Sequence, residues 1–260
     1  MENSLSPASI TDKLETRFIG QKVIYYPSVA STMDVARQKV QQGVAEGTVI
    51  VADEQVAGKG RIKRIWLSPR GNIALSIIFY PRLSYLPYLI MLASLAVVHS
   101  IEAVTGLKPQ IKWPNDVLVN GKKVCGILIE SDVRGDTVAY AIIGIGMNVS
   151  LRFSDVSELI SQATSLSGEL GRDVSRVNMI RHLLTEIEKL YLALPSGQAI
   201  YDEWRDRLVT LGRRVLVKSG TSILEGIAES VGTDGSLLLR LSDGSTTKII
   251  AGDVTLRDKQ

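Results

Sequence analysis

The sequence predicts an α+β fold: a mixed, mostly antiparallel sheet with packed helices, followed by a small C-terminal β-barrel. Three observations carry this. Short β-branched and aliphatic runs bounded by turn residues recur between Lys22 and Ile143, and Asn120-Gly121 between two of them is a two-residue hairpin signal. Interleaved with them are longer stretches whose apolar residues recur at three- and four-residue spacing, the helical period. From Gly212 the texture changes to short alternating runs broken by Ser-Gly and Asp-Gly pairs. That pattern fits a small barrel and puts a boundary at 211/212, giving domains 1–211 and 212–260.

In chain order, a short N-terminal helix precedes a strand at Lys22–Tyr26. Ser31 stands at the N-cap of a helix over Thr32–Gln42, because its hydroxyl can accept from the first free N–H groups, and Gly43 or Gly47 ends it. Thr48–Asp53 reads as a buried strand, Gln55–Pro69 as a Gly-, Lys- and Arg-rich loop, and Asn72–Tyr80 as another strand. Leu86–Val104 is the most apolar segment, but Pro87, Ser94, His99, Ser100 and Glu102 interrupt it, so it reads as a buried helix closed by Gly106 rather than a membrane span. Four strands follow at Gln110–Trp113, Val117–Asn120, Lys123–Ser131 and Thr137–Ile143. Val174–Leu194 repeats the helical period through Ile180, Leu183, Leu184, Ile187, Leu190 and Tyr191, and another helix surrounds Trp204. Four barrel strands close the chain at Arg214–Lys218, Ile223–Ser230, Ser236–Leu241 and Ser245–Ile250.

Composition excludes several classes. With 45% hydrophobic and 22% charged residues over 260 positions, the chain is neither disordered nor a disulfide scaffold. Cys125 is alone and the two histidines, His99 and His182, lie on helical apolar patterns, so no zinc cluster is spelled out. A reducing cytoplasm fits, and the start MENSLSPASITDKLE lacks the basic and apolar regions of a signal peptide. The net charge of +3 is unevenly placed. No Asp or Glu occurs from Gln55 to Ile101, where Lys59, Arg61, Lys63, Arg64, Arg70 and Arg82 supply +6, so the remainder carries −3. A concentrated anion-facing loop on a nearly neutral chain needs a partner.

Four segments can carry chemistry. Gly58-Lys59-Gly60-Arg61-Ile62-Lys63-Arg64-Ile65-Trp66 combines glycines, which let backbone approach a ligand, with cations that neutralise phosphate. It is not a Walker A loop, because Gly60 rather than Ser or Thr follows Gly58-Lys59. On composition alone a solvated basic loop or a nucleic-acid patch reads equally well, and Trp66 serves either packing or stacking. Lys112-Trp113-Pro114-Asn115-Asp116 breaks between strands and presents an Asn-Asp pair, which a simple turn also explains. In Lys122-Lys123-Val124-Cys125-Gly126-Ile127, strand alternation places Lys123 on the face of Cys125 and Ile127, either snorkelling or aimed at an anion. Cys125 reads as packing, not as a nucleophile. Gly144-Ile145-Gly146-Met147-Asn148 is a glycine-bearing strand end without the third glycine of a dinucleotide fingerprint.

Taken in order, Ser31-Thr32, Gln55 with the GKGRIKRIW loop, KWPND, KKVCGILIE and GIGMN resemble the biotin protein ligases, or holocarboxylase synthetases, from about Tyr26 to Ser150 and again from Arg214 to Arg257. The resemblance implies a class II synthetase-like catalytic core and a Src-homology-3-type C-terminal domain. It implies a ligase that forms a carbon–nitrogen bond in two steps, first biotinyl-5′-AMP from biotin and ATP, then transfer to a lysine of a carrier. Departures are Lys59 for the family's first loop arginine, Lys63 for its third glycine, and Met33 where polar residues are common. About 25 residues precede the core, fewer than a helix-turn-helix domain needs, which implies the monofunctional form.

By the same resemblance Lys123, Arg61 and Asp116 are catalytic. Ser31, Thr32, Met33, Gln55, Lys59, Gly60, Arg61, Lys123 and Gly126 bind biotin. Gly58, Lys59, Arg61, Arg64, Trp66, Asn115 and Asn148 bind ATP or the adenylate. Mg²⁺ enters on the ATP phosphates, with Asp116 in reach. The implied partner is the biotin carboxyl carrier domain of a carboxylase such as acetyl-CoA carboxylase, with a homodimer as the assembly and neither DNA nor membrane as a partner. The competing readings are a lipoate-type ligase and, from another class, a nucleic-acid-binding module or biotin-responsive repressor.

Overall fold

The computed structural model describes residues 5–151, 162–220 and 222–257. Seven strands form the larger sheet: β1 (Val23–Tyr26), β2 (Val49–Ala52), β3 (Ile73–Phe79), β4 (Gln110–Lys112), β5 (Asp116–Val119), β6 (Lys122–Arg134) and β7 (Thr137–Met147). Their order is β1-β2-β3-β7-β6-β5-β4, with β1 and β2 parallel and every other pair antiparallel. The predicted mixed, mostly antiparallel sheet is therefore present. Among the described residues six α-helices accompany it: α1 (Pro7–Thr11), α2 (Thr32–Gln41), α3 (Leu86–Thr105), α4 (Leu166–Leu170), α5 (Arg176–Leu192) and α6 (Gln198–Asp206).

Period-2 alternation divides the sheet's side chains between two cores. Val49 and Val51, Ile73, Leu75, Ile77 and Phe79, and Ile143 and Ile145 face α3 and α5 in the main core. On the opposite face Ile50, Ile78 and Ile142 meet Met33 and Ala36 of α2 in a smaller cluster. Each such side chain, fully buried, contributes about 1.5–3 kcal/mol. Among the described residues, Leu83–Thr105 is the one helical stretch long and apolar enough to cross a membrane, and 67% of its most apolar window is buried within the protein. Gly106 ends α3 at φ +76°, a left-handed position that favours glycine. His99 joins three helices, with Nδ1 3.0 Å from Glu186 on α5 and Nε2 2.7 Å from Glu203 on α6.

The C-terminal unit differs from expectation in one way. It has five strands, β8 (Arg214–Ser219), β9 (Ser222–Val231), β10 (Leu237–Arg240), β11 (Thr246–Ile249) and β12 (Asp253–Leu256), where the sequence predicts four. Their order is β11-β10-β9-β8-β12, with every neighbouring pair antiparallel. The missed strand has only four residues and follows Gly252, where the sequence signal is that of a turn. The N-terminal unit grips this sheet: the Trp113 indole donates to the carbonyl of Gly235 at 2.8 Å, and the Tyr201 hydroxyl to that of Val231 at 2.7 Å.

Candidate functional site

The site is built on the α2 face of the large sheet, at the head of that helix. The Ser31 hydroxyl accepts from the Met33 N–H at 3.3 Å, as an N-cap does. Gln55, just past β2, accepts from both the Thr32 N–H (2.8 Å) and its hydroxyl (3.0 Å), and Ser76 on β3 donates to the Thr32 hydroxyl at 2.9 Å. A compact set of donors and acceptors therefore sits at the helix N-terminus, fixed from two strands.

Opposite this head stands Lys123. Its Nζ lies 2.6 Å from Asp116 and 5.2 Å from the Trp66 ring centre. The sequence alternation that grouped Lys123 with Cys125 and Ile127 is overturned by a β-bulge. Leu118 pairs with Lys123 and Val117 with Cys125, so Val124 is an extra residue and the pleat changes phase there. Val124 and Cys125 both turn into the main core, and Lys123 shares the site face with Gly126 instead. Burial pushes the Cys125 thiol well above its ordinary range. Native protein is accordingly expected to resist thiol alkylation until denatured, and rapid labelling of Cys125 in the folded state would contradict that placement.

Glycines make the floor. Gly126 and Gly146 are register partners on β6 and β7, and Trp66 lies across both. A Cβ on Gly146 would come within 2.3 Å of the Trp66 Nε1, and one on Gly126 within 3.0 Å of its ring. Gly58 is held by a different need, since a Cβ there would meet the Trp66 carbonyl at 2.4 Å. The basic loop reaches the site through three anchors. Lys59 pairs with Asp34 on α2, Arg64 with Asp253 of the C-terminal sheet at 2.6 Å, and Arg61 donates to the Asn115 side-chain oxygen at 3.1 Å and the Gly252 carbonyl at 3.3 Å. Burial pushes the Arg61 guanidinium and the Lys112 ammonium below their usual values. Ile62 stands at φ +52°, strained for a β-branched residue, and the Lys63 side chain lies outside the described residues.

Together these groups enclose a cavity of about 750 Å³ including its open mouth. Of the predicted residues, Ser31, Thr32, Met33, Gln55, Lys59, Gly60, Arg61, Arg64, Trp66, Asn115, Asp116, Lys123 and Gly126 line it. Gly58 and Asn148 do not. The Asn148 amide instead donates to the Thr164 carbonyl at 3.1 Å, and its backbone N–H to that of Val124. Beyond the predicted site residues, the lining also includes Leu128, Gly144 and Asp253, of which Gly144 lies in the glycine-bearing strand end the sequence singles out. The pleat could have supplied the first two, two residues on from Gly126 and two before Gly146, but nothing local points to Asp253. Lys59, Arg61, Arg64 and Lys123 face Asp116 and Asp253 across the lining, a surplus of two positive charges. A polar head, an apolar wall and a cationic rim suit a carboxylic acid meeting a polyanion.

Comparison with known proteins agrees with this chemistry. Residues 25–148 match the biotin/lipoate A/B protein ligase family and residues 210–257 the biotin protein ligase C-terminal domain. The chain is 37% identical over 258 residues to the bifunctional ligase/repressor BirA of Bacillus subtilis, covering 97% of this chain and 79% of that one. It is 34% identical over 211 residues to the biotin–[acetyl-CoA-carboxylase] ligase of Paracoccus denitrificans, covering 78% and 88%. Among solved structures, the biotin protein ligase of Aquifex aeolicus in complex with biotin and ATP superposes with a TM-score of 0.77 at 28% identity, over 92% of this chain and all of that one. Sequence, fold and site thus converge, and the chain belongs to the biotin protein ligase family, a family of ligase enzymes.

Proposed function

We propose that the protein activates biotin with ATP and transfers it to a lysine of a biotin carrier domain. The observation that carries this is the projection of Lys123, beside Asp116, into a cavity with hydrogen-bonding groups on one side and Arg61, Arg64 and Asn115 on the other. Biotin and ATP are the ligands named for the Aquifex aeolicus structure, and acetyl-CoA carboxylase is the substrate named for the Paracoccus denitrificans relative.

In the first step a biotin carboxylate oxygen attacks the α-phosphorus of ATP. A phosphorus–oxygen bond forms, the bond to the β-phosphate's bridging oxygen breaks, and pyrophosphate leaves. Both partners are anionic, so the chain's contribution is alignment and charge neutralisation. Ser31, Thr32 and Gln55 hold the ureido ring, the apolar wall takes the ring body, and Lys123 bridges the carboxylate and the α-phosphate. Arg61 and the loop close over that centre, and Trp66 borders the nucleotide. Among the described residues no three acidic, histidine or cysteine side chains converge as a metal cage. That donor set fits Mg²⁺ entering on the ATP phosphates with Asp116 as a single protein carboxylate, as hard cations with retained waters allow.

In the second step the carrier amine attacks the carbonyl carbon of the mixed anhydride. A carbon–nitrogen bond forms, AMP leaves with the anhydride oxygen, and the ammonium proton passes to Asp116. An amine with a reference pKa of about 10.4 is mostly charged at neutral pH, so loss of that proton must be assisted. The same reading has the protein act in the cytoplasm on a carboxylase carrier.

Incubating the protein with ATP, Mg²⁺ and biotin, then analysing it by mass spectrometry, is expected to show retained biotinyl-5′-AMP. Pyrophosphate exchange with lipoate but not biotin would favour the lipoate ligase instead. Specific duplex binding at physiological salt would favour a repressor.

A further inference from the structure

Met33 occupies an unusual place, lining the cavity while belonging to the small apolar cluster beneath α2 with Ala36, Ile50, Ile78 and Ile142. It is only 4% exposed, so it is the wall between the two spaces. Across from it on β7 stands Gly144. A Cβ there would lie 2.5 Å from the Met33 Sδ and 3.2 Å from its Cγ, so the thioether fills the hollow that the missing side chain leaves. Met33 directly follows Ser31 and Thr32, the groups that hold the ureido ring in the proposed function. The volume taken by its thioether is therefore volume that the ring end of a substrate would otherwise enter.

We infer that Met33 and Gly144 act as a pair that sets the upper size of the ring system the pocket accepts. The inference rests on the ligase reading and adds its specificity-determining residues. Methionine suits the role because its flexible thioether closes an irregular gap against the sheet. Shortening it opens the cavity toward four apolar residues, so the substrates gained are those with added alkyl groups, not polar ones. Enlarging Gly144 does the reverse by driving the thioether into the cavity.

The test measures ATP–pyrophosphate exchange with biotin and with a biotin carrying an ethyl group on its bicyclic ring. Met33→Ala is expected to raise kcat/KM for the ethyl analogue, relative to biotin, by about 10-fold or more over the wild-type ratio, the scale of a methylene in an apolar pocket. Gly144→Ala is expected to raise the KM for biotin by about 10-fold, and adding Met33→Ala to it should bring that KM back to within about threefold of Met33→Ala alone. An unchanged ratio in Met33→Ala, or a Gly144→Ala defect that Met33→Ala does not relieve, overturns the pairing. The rescue also separates a direct clash from general misfolding, which a second truncation would worsen. A wild-type protein inactive with biotin overturns the ligase reading and the size limit with it; an active wild type with an unchanged ratio overturns the size limit alone.

Discussion

Lys123→Ala is expected to lower biotin-dependent ATP–pyrophosphate exchange by about 10³-fold while leaving the thermal unfolding midpoint within a few degrees of wild type. The magnitude is that of removing a preorganised charge aimed at a developing oxyanion. Three features make Lys123 hard to replace. The bulge after it turns the side chain onto the site face, Asp116 at 2.6 Å fixes its ammonium, and Trp66 covers it from the third side. Truncation also leaves Asp116 facing two substrates of its own sign, which raises the cost. Lys123→Met keeps the apolar stem without the charge. Equal losses in the two variants assign the effect to charge, whereas exchange within threefold of wild type in Lys123→Ala would remove Lys123 from the mechanism.

The same bulge marks where the sequence stops being readable. Alternation is a local rule; the short β-branched runs placed the strands well, but the one face it assigned, Lys123 with Cys125 and Ile127, is the one the bulge reverses. A single inserted residue leaves no compositional mark, because Val124 and Cys125 are both apolar and suit a buried strand in either phase. Near α2 the N-cap Ser31 and the glycine-rich basic loop were legible from local signatures, and Thr32 and Gln55 through the family resemblance. Asp253 was not, because it meets Arg64 across 189 positions of chain and the encounter depends on how the C-terminal sheet docks. Asn148 lies outside the cavity lining. Its motif neighbours Gly144 and Gly146 shape the cavity, but its own amide is committed to the Thr164 carbonyl, a segment with no pattern of its own.

The loop's two departures acquire different meanings once folded. Lys59 is not a free cation waiting for phosphate, since Asp34 already holds it and Arg37 shares that carboxylate. A lysine is adequate there, as one point charge against one carboxylate needs no planar fork. The loop is thus tied to α2 at one end and to the C-terminal sheet at the other, a partly assembled frame rather than an open strand.

That frame separates the rim cations by what each has left to give. Lys59, Arg64 and Lys123 all pair directly with carboxylates, whereas Arg61 is the one cavity-lining cation among the described residues whose hydrogen-bond partners are neutral, the Asn115 side chain and the Gly252 carbonyl, with Asp253 and Asp116 acting on it only at longer range. Its burial already disfavours the charge, so an incoming phosphate oxygen gains more at Arg61 than at Lys59 or Arg64, the loop cations held directly by a carboxylate. Arg61→Ala is therefore expected to lower kcat/KM for ATP in the exchange reaction by about 10²-fold. Arg61→Lys should recover only part of this, because an ammonium cannot keep both neutral contacts and also present a fork to phosphate. Arg64→Ala, by contrast, should cost less than about 10-fold, its charge being balanced by Asp253 before ATP arrives. Steady-state exchange at varied ATP checks the order, and an Arg64→Ala defect larger than that of Arg61→Ala would show that loop anchoring, not the unspent charge of Arg61, governs nucleotide binding.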